Sequence, residues 1–117
     1  MTAETSLGTY GSARVANGIV FTSGKVGLDA DGQRPAAFAD EVRAAIADLE
    51  KTLTEYGSDL TGLLQVHCIL SDMSHFAEFD AIYRDMIPDP VPPRFTHGGE
   101  LVQDFRFEIV AIATVLE

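Results

Sequence analysis

The last segment of the chain, residues 105–116, constrains the fold more than any other. It is rich in the β-branched and aromatic residues that favour strands. Side chains of a strand alternate between the two faces of a sheet, so a strand with one wet face shows apolar residues at one parity only. Here both parities are apolar: Phe105, Phe107, Ile109, Ala111, Ala113 and Val115 on one side, and Val110, Ile112 and Leu116 on the other. The sequence therefore predicts a strand that is covered on both faces.

The rest of the chain divides into alternating strand and helix patterns. Asn17 and Gly18 predict a two-residue hairpin turn, because both tolerate positive φ. An apolar stripe at spacings of three and four predicts the first helix, with Glu41 and the other charged residues on its solvated side and Gly57 at its end. Ser74 is expected to cap the second helix. The predicted strands are 10–16, 19–23, 66–70, 94–97 and 105–116, the predicted helices are 37–56 and 75–86, and 24–36 is predicted as loop.

The resulting order, β-β-α-β-α-β-β, predicts an α+β fold in which two helices cover one face of a mixed sheet. The chain offers no third helix for the other face, although the final strand is apolar there too. A large exposed apolar face is typical of an interface. We therefore predict a homo-oligomer packed through its sheets, with a site near that interface. The alternative is a monomer with an open apolar face.

Arg94 and Glu108 are the candidate catalytic pair. Arg94 begins a predicted strand after two prolines, and Glu108 lies within the apolar final strand. A carboxylate in such a setting must be paired, hydrogen-bonded or neutralised. If adjacent strands bring the guanidinium and the acid together, they form a small polar pocket suited to a carboxylate-bearing substrate and one water. The two residues could also form an ion pair with a purely structural role.

Length and composition favour one domain spanning residues 1–117. No stretch approaches the roughly 20 apolar residues that span a bilayer, and no signal peptide is visible. Cys68 is the only cysteine, which agrees with a reducing compartment, and we expect a cytoplasmic location and an inert core thiol. The formal net charge of −10 disfavours nucleic-acid partners.

Three segments together resemble the RidA family, also called YjgF. Residues 21–25 resemble its strand followed by Ser-Gly, and Pro93 with Arg94 resembles its Pro-Ala-Arg-Ser segment. Residues 107–113 resemble its closing strand, usually Val/Ile-Glu-Ile-Glu-Ala-Ile-Ala. The matches occur in the family's order and at about its spacing, over nearly the whole chain.

The resemblance implies a chorismate-mutase-like fold, a homotrimer with clefts between subunits, and hydrolysis of enamines and imines such as 2-aminoacrylate to a 2-keto acid and ammonia. It implies that Arg94 binds the substrate carboxylate and that Glu108 positions or activates water. It also places Tyr10, Ser23, Gly24 and Thr96 in the substrate-binding cleft. No metal and no organic cofactor is expected.

The chain departs from the family pattern at several positions. Phe95 stands where serine is common, Asp80 where asparagine is common, and Val110 where the closing strand has a second glutamate. These departures concern the shape of the pocket and its substrate more than the fold. A non-catalytic trimer that binds small carboxylates is the alternative function. Ribonuclease activity, a label often attached to the family, is disfavoured by the negative charge.

Overall fold

The computed structural model describes residues 9–117. Within them, two α-helices pack on a mixed sheet of six strands. The strands are β1 (Ala13–Ala16), β2 (Ile19–Thr22), β3 (Lys25–Val26), β4 (Leu63–Leu70), β5 (Arg94–Gly98) and β6 (Phe107–Thr114), and the helices are α1 (Phe38–Glu55) and α2 (Phe76–Met86). The predicted α+β architecture is confirmed. Neither helix is long and apolar enough to cross a membrane.

The sheet order is β1-β2-β6-β4-β5, and β3 also pairs with β6. Only β4 and β5 run parallel; the other pairings are antiparallel. The hairpin turn is at Asn17 and Gly18, whose φ angles of 52° and 76° give the positive values that such a turn needs. The final strand, β6, lies between β2 and β4 in the interior of the sheet.

The two faces of the sheet differ in their cover. On the face under the helices, alternate residues of β4 and β6 are buried against the apolar stripe of α1. The opposite face, which we call the open face, carries no helix from residues 9–117. It is nevertheless largely apolar, since Phe21 and Phe95 are 45% and 50% exposed there. Phe21 pairs with Ile112, and Phe95 pairs with His67, which in turn pairs with Val110.

Glu41 is the main departure of the helix pattern from expectation. The prediction that it lies on the solvated side of α1 is wrong: its side chain is fully buried. Arg106 donates to its carboxylate twice, from the backbone N at 2.8 Å and from Nε at 2.7 Å. The Arg106 Nη2 also donates to the carbonyls of Pro35 and Ala36 at 3.0 and 3.1 Å. Through Arg106, this ion pair joins α1 to the start of β6 and to the segment that precedes α1.

Two local predictions are also wrong. The segment 24–36 is not all loop, because Lys25 and Val26 pair with β6 as β3. Ser74 does not cap α2; instead the Asp72 side chain accepts a hydrogen bond from the Ser74 backbone N and caps a short 3₁₀ turn that leads into the helix. Gly57, with φ of 88°, follows the end of α1 as predicted.

We expect Glu41→Gln to lower the free energy of unfolding by about 3 kcal/mol, because it leaves the Arg106 guanidinium without its buried anion. Urea unfolding measures the change. Asp85→Asn is the matched control, since Asp85 pairs with Arg43 on the surface at 3.6 Å and its loss should cost less than about 1 kcal/mol. Equal effects of the two substitutions would contradict this account of Glu41.

Candidate functional site

A cavity of about 560 Å³ lies where the start of β3, the loop after it and the segment before β6 meet. This volume is within the usual range for small-molecule sites. The polar residues that line it are Tyr10, Ser23, Gln103 and Glu108. The apolar ones are Val26, Leu28, Val102 and Phe105, and Gly24 and Gly32 contribute only backbone atoms. The cavity therefore brings together four of the six residues that the sequence predicts for the site: Tyr10, Ser23, Gly24 and Glu108.

Glu108 is placed in the cavity by the alternation of β6. Its neighbours along the strand, Phe107 and Ile109, point under the helices and are fully buried. Glu108 thus points to the open face, between Val26 of β3 and Ile69 of β4. It is half-buried, and its carboxylate forms no hydrogen bond or ion pair with residues 9–117.

Burial raises the pKa of Glu108 above its ordinary value of 4.5. The apolar residues beside it on the open face explain the direction, because they solvate the charged form poorly. The sequence left open whether burial or Arg94 would dominate; burial does. A carboxyl group with a raised pKa is suited to taking and returning a proton near neutral pH.

Gly24 gives the carboxylate its space. A Cβ at residue 24 would overlap Oε2 of Glu108 and would lie 2.8 Å from its Cδ. The neighbouring Ser23 is fixed by two bonds to the Ser12 carbonyl, from its backbone N at 2.9 Å and its hydroxyl at 3.2 Å. These contacts hold the connection between β2 and β3 against the Glu108 carboxylate. Tyr10 borders the same cavity and is 53% exposed.

Arg94 lies elsewhere in the chain. It pairs with Val66 of β4, which pairs in turn with Ala111 of β6, and both of these are buried under the helices. Residues paired across strands share a face, so Arg94 points to the helix side. Its guanidinium lies 4.6 Å from the Tyr83 ring centroid and donates to Asp80 at 2.8 Å.

The prediction that adjacent strands bring Arg94 and Glu108 together is therefore wrong. Strand β4 separates β5 from β6, and the two side chains point to opposite faces. Two strand spacings and three residues along the sheet separate them, about 10 Å in each direction. Thr96 lies on the helix side with Arg94, and its hydroxyl is buried there without a partner among residues 9–117. One chain thus holds two separate parts of the predicted site.

Histidines and the cysteine take no part in the cavity. On the open face the His67 ring stacks on Phe95, 4.0 Å between centroids, and lies 4.8 Å from His97; burial, and next the neighbouring His97, lower the pKa of His67. Cys68 is buried, and burial raises the pKa of its thiol to about 12. Among residues 9–117, no three His, Cys, Asp or Glu side chains are grouped closely enough to hold a metal.

The sequence did not point to the apolar walls of the cavity. Leu28, Val102 and Phe105 come from irregular segments, where no periodicity indicates which side chains turn inward. Glu41, which anchors one of these segments through Arg106, could have been found. Position 41 follows Phe38 by three residues and precedes Ala45 by four, and so lies on the buried stripe of α1.

Comparison with known proteins identifies the family. The family described as Endoribonuclease L-PSP matches residues 1–115. The chain belongs to this family. A crystal structure of a member of the YjgF protein family from Neisseria meningitidis superposes with a TM-score of 0.88 at 26% identity, covering 97% of this chain and 92% of the other. The family resemblance and the fold that it implies are thereby confirmed.

Two relatives with names in the same family are similar to this chain over most of its length. Protein mmf1, mitochondrial, from Schizosaccharomyces pombe is 33% identical over 112 residues, which are 92% of this chain and 69% of that protein. The rat 2-iminobutanoate/2-iminopropanoate deaminase is 29% identical over 114 residues, or 95% and 83%. The family thus includes imine deaminases. Because the first of these relatives is named as mitochondrial, the cytoplasmic location of this chain stays a prediction.

We expect Gly24→Ala to return the pKa of Glu108 towards 4.5, because the new methyl group displaces the carboxylate into solvent. Carboxyl NMR titration of the folded protein measures the pKa. Gly11→Ala is the control, since its Cβ would meet no atom closer than 4.0 Å, and it should leave the pKa raised. An unchanged Glu108 pKa in Gly24→Ala would show that the close approach does not hold the acid in place.

We also expect Glu108→Gln to raise the melting temperature at pH 7.5. Because the folded-state pKa of Glu108 is raised, its contribution to stability is fully present below the unfolded value and is lost as pH rises through the folded value. The advantage of glutamine should therefore shrink towards pH 4. Thermal unfolding across this range tests the trend, with the exposed Glu50→Gln as the control that lacks it.

Proposed function

We propose that this protein hydrolyses reactive enamine and imine intermediates of the 2-aminoacrylate type. The enamine tautomerises to its imine, and water adds to the imine carbon. The carbon–nitrogen bond of the resulting carbinolamine then breaks, which releases ammonia and leaves a 2-keto acid. The reaction consumes one water and requires proton transfers from that water to the departing nitrogen, so it needs one group that can accept and return a proton.

Glu108 is the group that carries this proposal. Its half-buried carboxylate lines a cavity of suitable size, and its pKa is raised by burial. It can take a proton from the attacking water and deliver it to the nitrogen, a role that typically contributes about 10²–10⁴-fold to a rate. The Ser23 hydroxyl donates to Ser12 and keeps its oxygen lone pairs for a water or a substrate donor. Tyr10 closes the same side of the cavity.

Arg94 completes the site from a neighbouring copy of the chain. A guanidinium binds a carboxylate through parallel hydrogen bonds, which fixes the orientation of the substrate. Within one chain Arg94 and Glu108 face opposite sides of the sheet, whereas β5 is an edge strand that a second copy can approach. A contact between unlike surfaces closes into a ring when its rotation permits. Three copies, each packing its β5 edge against the open face of the next, would cover Phe21 and Phe95 and give three such clefts.

Relatives support this choice of reaction over the alternatives. The rat protein named as an imine deaminase covers 95% of the chain. The family description names an endoribonuclease, but a chain of net charge −10 would repel RNA over most of its surface. A non-catalytic carboxylate-binding trimer would use the same cleft. It would be stabilised by 2-keto acids against heat without accelerating the release of keto acid.

The direct test is keto-acid release from freshly generated 2-aminoacrylate. We expect acceleration over buffer by the native protein and its loss in Arg94→Ala and in Glu108→Gln. Stabilisation by pyruvate without acceleration would favour the binding protein. If pyruvate does not stabilise the protein and keto-acid release is not accelerated, both functions are rejected for this substrate class.

A shared cleft makes a sharper prediction about mixtures. If Arg94 and Glu108 act from different copies, a one-to-one mixed assembly of Arg94→Ala and Glu108→Gln chains contains sites with both residues intact. About a quarter of the native activity should return, since each site draws its two sides at random. The control mixes Arg94→Ala with the double variant, in which no site has Arg94. No recovery in the first mixture would show that the two residues do not cooperate across an interface.

A further inference from the structure

We propose that Asp80 sets the charge preference of the substrate site by neutralising part of the Arg94 guanidinium before any substrate binds. The inference rests on the proposed function in one respect, that Arg94 binds the substrate carboxylate. It adds that the site prefers substrates with a single carboxylate and discriminates against dicarboxylates. Asp80 is thus a specificity-determining residue on α2.

The ion pair is short and partly sheltered. Arg94 Nη1 donates to Asp80 Oδ1 at 2.8 Å, and the two side chains are 22% and 28% exposed. The second oxygen of Asp80 accepts from Arg84 Nη2 at 3.2 Å, one turn further along α2. The three groups carry a net charge of +1 rather than the +2 of the two arginines.

The same helix also fixes the position of the guanidinium. Its carbon lies 4.6 Å from the Tyr83 ring centroid and 5.2 Å from that of Phe79, both residues of α2. The two rings pack against the guanidinium, and one of its N–H groups donates to the Asp80 carboxylate. Arg94 has five N–H donors, so the others can still bind a carboxylate.

Asp80 changes which carboxylates bind well there. A substrate carboxylate that reaches the remaining donors comes close to the Asp80 carboxylate, and the two anions repel. A single carboxylate tolerates this because the cluster as a whole is still positive. A second carboxylate on the substrate meets the same repulsion with no further cation from this cluster. The site should therefore bind a substrate with two carboxylates less tightly than one with a single carboxylate.

The test compares Asp80→Asn with native protein, with pyruvate and 2-oxoglutarate as probes of one and two carboxylates. Calorimetry should show pyruvate binding about fivefold tighter in Asp80→Asn, and 2-oxoglutarate binding should tighten more, so that the preference narrows. In the imine assay KM should fall while kcat changes little. Asp85→Asn is the control, because it removes the same charge from α2 at a surface pair with Arg43.

Arg84→Gln provides the opposite change. Without Arg84, the Asp80 carboxylate is left to Arg94 alone, and pyruvate binding should weaken about twofold to fivefold. Equal binding by Asp80→Asn and Asp85→Asn would overturn the proposal, as would weaker binding by Asp80→Asn or no binding by any variant.

The outcomes also separate this proposal from the proposed reaction. Tighter pyruvate binding by Asp80→Asn without imine hydrolysis by the native protein supports the role of Asp80 and rejects the reaction. Hydrolysis by the native protein with no shift in Asp80→Asn supports the reaction and rejects the role of Asp80.

Discussion

The buried carboxylate of Glu41 is the constraint on which the arrangement of this molecule depends. An anion without access to water requires a cation at hydrogen-bonding distance, and Arg106 meets that requirement from the residue just before β6. The same guanidinium bonds to carbonyls just before α1. One ion pair therefore fixes the helix, the start of the central strand and the segment that borders the cavity. Glu41 and Arg106 support the cavity wall without lining the cavity themselves.

Strand alternation imposes a second constraint, on the site itself. Glu108 and Arg94 belong to one sheet but face opposite sides of it, and no side-chain rotation can exchange faces. A single chain therefore cannot bring the two side chains to one place. The apolar open face gives a physical reason for copies to associate. Association and chemistry would then depend on the same surface.

Most of the fold could be predicted from local sequence patterns. The apolar stripe of α1, the hairpin at Asn17 and Gly18 and the doubly apolar final strand all appear as expected, because each depends on neighbours in sequence. The order of strands does not: β4 enters between β5 and β6, and sequence adjacency gave no sign of it. Tyr10, Ser23, Gly24 and Glu108, which the family resemblance assigns to one cleft, line one cavity. Arg94 and Thr96 lie on the face of the sheet opposite to Glu108, and this separation depends on the pairing of strands that are distant in sequence.

The lone cysteine has a practical consequence. Cys68 is buried, and burial raises the pKa of its thiol to about 12, so very little reactive thiolate forms at neutral pH. Thiol-directed fluorophores should leave it unmodified. A cysteine introduced on the surface would then be the one labelled position on each chain. Energy transfer between differently labelled chains could then report whether chains associate, without removal of the native cysteine.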